Sequence, residues 1–124
     1  MSKKIMICAV FVFFALSMNV ALSDMVYPPE LMEVSAPYPG ATITHATNAS
    51  VQVMVMMESN DNPGSIFEFY KTEVAANGWT ITKESQLEGL SGLMGVKGSN
   101  EVRVSIFTDP SGKSTISLGL GPKQ

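Results

Sequence analysis

The chain predicts an α+β fold: a single antiparallel sheet, with elements in the order β-β-α-β-β-β-β and one helix packed on one face. Only Ser59–Trp79, SNDNPGSIFEFYKTEVAANGW, carries the period of an amphipathic helix with a start and a stop. The stretches before and after it alternate with period two, as half-buried strands do. The last four of those stretches are joined by short connections, which suits a meander.

Residues 1–23 have the pattern of a secretory signal peptide. Lys3 and Lys4 precede an apolar run from Ile5 to Leu16, and Ala21-Leu22-Ser23 puts small residues at −3 and −1 before Asp24. The run is shorter than the roughly 20 apolar residues a membrane span needs, so no stable anchor is expected after cleavage. Cys8 lies inside the run and no cysteine stands at the junction, which argues against a lipoprotein. The remaining chain has no cysteine and must fold without disulfides, a style of bacterial periplasmic domains. The expected location is periplasmic or secreted.

Residues 24–40, with Pro28, Pro29, Pro37 and Pro39, predict an extended proline-rich lead-in, a strap along the domain. Residues 41–124 predict one α+β domain. It opens with a hairpin, Ala41–Thr47 and Ser50–Glu58. In the second strand Val51, Val53, Val55 and Met57 share the face toward the helix, while Gln52, Met54, Met56 and Glu58 take the other. The turn near Asn48 leaves the register of Ile43 and His45 open by one residue.

In the helix, Asn62 is the expected N-cap and Pro63 the first helical residue. Ile66, Phe67, Tyr70, Val74 and Asn77 fall on one stripe with Phe69 at its edge. Glu68 and Lys71 stand three apart, close enough to pair. Asn77-Gly78 is the stop, and Trp79 begins the next strand. Tyr70 and Trp79 are expected in the core.

Trp79–Glu84 predicts a strand with Trp79 and Ile81 inward; Ser85–Gly92 reads as a loop; Leu93–Lys97 is a short strand. Glu101–Thr108 alternates Val102, Val104 and Ile106 inward against Glu101, Arg103 and Ser105 outward. Asp109-Pro110-Ser111-Gly112 is a turn, and Lys113–Leu120 closes the sheet.

Tyr38 to Ala41 (Y-P-G-A), followed by Asn62, Pro63, Ile66, Phe67, Phe69, Tyr70, Val74, Gly78 and Trp79, resembles a pattern of small secreted bacterial α+β domains of unknown function. The resemblance spans about half of the chain after residue 23. It implies a fold and no activity.

The chain has a net charge of −3, and residues 24–124 alone carry eleven acids against six bases. With no basic patch to neutralise phosphates, nucleic acid is not an expected partner. His45 is the only histidine, no serine sits in a G-x-S-x-G elbow, and no glycine-rich phosphate loop follows a strand. The expectation is a protein that is no enzyme and needs no cofactor. If Val51, Val53 and Val55 meet the helix, then Met54, Met56 and Phe107, with Arg103 beside them, form an apolar island in a polar outer face. Such islands mark contact surfaces. The predicted function is a non-catalytic binding or interaction module. Its partner is an envelope protein or a second copy of itself, and the strap is a third possible cover for the island. The alternative is a small-ligand or Cu(I) carrier using the thioethers of Met54 and Met56 with His45.

Overall fold

The computed structural model describes residues 26–49 and 51–123; the signal-peptide expectation falls on residues outside these. Six strands, β1 (Thr42–Asn48), β2 (Val53–Ser59), β3 (Thr80–Leu87), β4 (Leu90–Lys97), β5 (Asn100–Thr108) and β6 (Ser114–Pro122), form one open sheet. One helix, α1 (Pro63–Ala76), lies between β2 and β3 in sequence. The spatial order is β1-β2-β6-β5-β4-β3, every neighbouring pair antiparallel. The meander β3-β4-β5-β6 thus receives the first hairpin along β6, and α1 carries the chain from β2 to the opposite edge.

Local chemistry sets the helix boundaries. Pro63 occupies the first position, and the Asn62 side chain accepts from the Gly64 N–H at 2.7 Å. Gly78, at φ +91°, takes the left-handed conformation that ends the helix and turns the chain into Trp79. Ile66, Phe67, Tyr70 and Val74 are buried against the sheet, with Trp79 beside them. Asn77, at the end of the stripe, is exposed, but its side-chain amide donates to the carbonyls of Val34 and Glu73. Lys71 reaches Glu84 on β3 at 3.3 Å.

A helix about 10 Å across cannot cover six strands spanning about 24 Å. α1 lies over β3, β4 and β5. The rest of that face is covered by the proline-rich segment, which is not extended as the sequence suggested. Pro29–Glu33 forms a 3₁₀ helix packed on β2, and Leu31 and Val34 are sealed into the core with Val53, Val55 and Met57. Hydrogen bonds fix this strap to the helix and to the residues that flank it. Trp79 Nε1 donates to the Glu33 carbonyl at 3.0 Å, the Ala36 N–H to Glu73 Oε1 at 3.2 Å, and the Tyr38 hydroxyl to Asp61 at 2.7 Å. The strap therefore lies on the same face as α1, and it does not cover the outer one.

Two strand assignments differ from expectation. Ser85–Gly92 is not a loop: β3 runs to Leu87, β4 starts at Leu90, and Glu88-Gly89 makes the turn with Gly89 at φ +79°. Ser85, Gln86 and Gly92 looked loop-like because β3 is an exposed edge strand and Gly92 faces outward. Val51 does not point inward; it is 69% exposed in the β1–β2 connection, and β2 begins at Val53. A bulge in β1 between Ile43 and His45 settles the open register. Ile43 pairs with Met57 of the inner set and His45 with Met56 of the outer set.

Candidate functional site

The strand pairings lay out the outer face row by row. Thr47, Met54, Gly119, Arg103, Met94 and Lys83 form one row across all six strands. His45, Met56, Ser117, Ser105, Gly92 and Ser85 form the next. Thr42, Glu58, Thr115, Phe107, Leu90 and Leu87 form the third. The central strand β6 thus presents only Thr115, Ser117, Gly119 and Gly121 outward, between larger side chains on β2 and β5.

The result is an open groove of about 410 Å³ lying along β6. Ser117, Gly119 and Gly121 make its floor, Gln52 and Met54 one wall, and Glu101, Arg103 and Ser105 the other. At one end the Val51 carbonyl would stand 3.3 Å from a side chain at position 121, so a glycine there lets the β1–β2 connection fold over the face. Arg103 donates to Glu101 Oε1 through Nε at 3.2 Å and through an outer nitrogen at 3.0 Å. A carboxylate gripped in this way fixes the direction of the guanidinium while leaving it exposed.

Of the four residues expected on the island, the structure brings Met54 and Arg103 together, on either side of Gly119. Met56 stands one row further along β2, beside Ser117. Phe107 is separate. Thr115 lies between it and Glu58 on β2, so the three residues do not make one island. Phe107 heads a second apolar group instead, paired with Leu90, which pairs with Leu87; the three are 57%, 48% and 64% exposed. Sequence reasoning missed Leu87 and Leu90 because it placed them in a loop. The available signal was Glu88-Gly89, a two-residue turn between leucines. Met94, on the Met54 row, was placed in a strand, Leu93–Lys97, but that strand was given no face.

The other sequence-derived set, His45, Met54 and Met56, is gathered more loosely. His45 is exposed on the edge strand directly beside Met56, and Met54 is the next outward residue along β2. Among the described residues no group of three or more His, Cys, Asp or Glu side chains could hold a metal ion. Nor is any helix among them long and apolar enough to cross a membrane.

The opposite layer is closed. Leu31 and Val34 under the strap, and Phe67, Tyr70 and Ile116 in the same core, are shut off from solvent. Burial and the nearby Glu73 carboxylate push the Tyr27 hydroxyl well above its usual range. Burial does the same to Tyr70, whose hydroxyl finds no hydrogen-bond partner; the main chain of Tyr38 is close enough to oppose that shift but not placed to bond. Tyr38, donating to Asp61, is held above its usual range mainly by that bond.

An open antiparallel sheet with one helix, a filled interior and a groove along its bare face is a fold suited to holding something on its surface. The chain belongs to the START domain-like family, whose model matches residues 40–112. Membership fits a ligand-binding or interaction module. The match covers α1 and β1 to β5; the strap and β6, the floor of the groove, lie outside it. No curated protein matches the chain.

Proposed function

We propose that this protein is a non-catalytic binding module of the cell envelope, and that its docking surface is the outer sheet face around Met54, Gly119 and Arg103. The groove along β6 carries the reading, since the other face is filled by α1 and the strap. The basic, apolar and small-residue order of residues 1–23 supports export.

Several features of the face suit binding rather than turnover. Ser105 and Ser117 are its hydroxyl groups near the groove, and His45 is its imidazole. Met56 stands between His45 and Ser117, two strand spacings of about 4.8 Å apart. A general base must approach its nucleophile to about 3 Å. The half-buried methionines offer adaptable apolar contact.

Methionine oxidation footprinting tests the reading. Met54, Met56 and Met94 lie on the outer face, and exposed Met32 on the strap serves as internal control. Brief peroxide treatment of intact cells should oxidise the three outer-face methionines more slowly, relative to Met32, than the same treatment of dilute purified protein. Equal ratios in the two settings would overturn the proposal. A Cu(I) titration that protects Met54 and Met56 but not Met94 would favour the carrier reading. Intact mass of the purified protein decides export: a mass that includes residues 1–23 is the contrary result.

A further inference from the structure

Two glycines on the outer face have no reason in the fold. Gly92 and Gly119 sit in the interior of β4 and β6, facing outward, and neither has positive φ. A side chain at 119 would meet nothing nearer than Gln52 Nε2 at 3.7 Å, and one at 92 nothing nearer than the Val104 carbonyl at 3.8 Å. Gly95 is different: facing inward, it lets the Val74 methyl and the Thr80 carbonyl come within 3.3 Å of where a side chain would begin. Glycine in a strand interior weakens the strand, and where packing does not require it, it marks close approach by another backbone or a ligand.

The relief of the face says what approaches. We propose that a second copy of this chain packs on it, sheet against sheet, about a two-fold axis along the β5–β6 seam. Such an axis lays β6 on β5 and β2 on β4 of the other copy. Row by row, Arg103 then meets the second copy's Gly119, Met56 meets Gly92, and Phe107 meets Thr115, while Met54 meets Met94. Large faces small in three of these four pairings. An isologous contact requires that one patch carry both the projections and the hollows.

Charge and area agree. The acids gather on the helix and strap side, with Glu30, Glu33, Asp61, Glu68 and Glu73. On the outer face Glu58 and Glu101 are matched by Arg103, Lys83 and Lys113, with Arg103 bound to Glu101 and Lys113 to Glu58. Two copies of an acidic chain therefore meet without repulsion only on this side. Five strand spacings of about 4.8 Å and seven residues at about 3.4 Å give a face roughly 24 Å square. Two such faces bury on the order of 1,200 Å², the lower end of the range for specific stable interfaces.

The inference rests on the outer face being a docking surface, and its test separates the two. Sedimentation equilibrium of the purified protein should show a dimer at about 100 µM that dissociates on dilution. The Gly92→Lys, Gly119→Lys variant should be monomeric, with unchanged far-ultraviolet circular dichroism and cooperative melting. Oxidation of Met54 and Met94 in the wild type should accelerate on dilution in step with dissociation, a measurement that holds whether or not the variant folds. A wild type monomeric at about 100 µM overturns the proposal. So does a folded variant that still dimerises, or a dimer in which Met54 and Met94 react as fast as in the monomer. A monomer whose outer-face methionines are nevertheless protected in cells discards the second copy and leaves the docking surface standing.

Discussion

The two faces of this sheet are made by the same strands and differ in every second residue. On the inner face β5 and β6 present Val102, Val104, Ile106, Ile116 and Leu118, all buried. On the outer face the residues between them are Arg103, Ser105, Thr115, Ser117 and Gly119. The inner face has two covers, one helical and one from the strap; the outer face has none among the described residues. A pleated strand separates the two demands because its side chains alternate. Stability is written into one set of positions and surface shape into the other, and each can be changed with limited effect on the other.

The largest test of that separation is Tyr70→Ala, which should cost about 3–5 kcal/mol in denaturant unfolding, as large aromatic truncations do. Tyr70→Phe should cost nothing or stabilise, because the hydroxyl it removes is buried without a partner. Leu31→Ala should cost about 2–5 kcal/mol. A cost below about 0.5 kcal/mol would mean that the strap only rests on the surface. The contrasting outer-face change, Met54→Lys with Met56→Lys, should move the unfolding free energy by no more than about 1 kcal/mol. If it unfolds the protein, the outer face is core and the contrast fails.

The smallest expected effect lies away from both faces, at the β5–β6 turn. Asp109 Oδ1 accepts from the main-chain N–H groups of Ser111 and Lys113 and from the Ser111 hydroxyl. These bonds, with the Ser111 hydroxyl foremost, hold its carboxyl below the ordinary aspartate range. A carboxylate with a lowered folded-state pKa stabilises above its unfolded value of about 3.9, and that contribution fades as pH falls through the folded value. Asp109→Ala should therefore lower the melting temperature slightly at neutral pH, and the difference should close in strong acid. A gap that stays constant with pH would assign the effect to the turn backbone alone.

What the sequence made legible follows the same division. Asn62, Pro63 and Gly78 announced the helix limits because cap and stop chemistry is local. The Val-rich alternations announced the inner face because burial repeats at every second residue. The outer face was legible only where its strand was. Met54 and Arg103 were assigned to it correctly, since β2 and β5 alternate cleanly. Leu87 was lost because β3, exposed at the sheet edge, shows no alternation; Leu90 and Met94 were lost because the Ser- and Gly-containing start of β4 read as a loop, which left the rest of that strand without a face. Adjacency was harder still. Nothing local in the chain says that β6 inserts between β2 and β5, and that insertion is what separates Phe107 from Met54 and hollows the groove. The strap's position was hidden for a related reason: four prolines favour extension locally, yet Leu31 and Val34 follow the tertiary demand of a sheet wider than its helix.

The strap has a further consequence, for the order in which this molecule comes apart. Its anchors join residues 23 to 46 positions apart in the chain, from Tyr38–Asp61 to Glu33–Trp79. None is part of the sheet's hydrogen-bond ladder. Releasing it would uncover Val53, Val55 and Met57 while leaving all six strands paired. Partial opening of that kind lies below the free energy of global unfolding. In native-state hydrogen exchange, the N–H groups of Leu31, Val34 and Ser35 should therefore lose protection as one cooperative unit, ahead of β5 and β6. The protein would then have two stabilities: one for its sheet, and a lower one for the seal on half of its core.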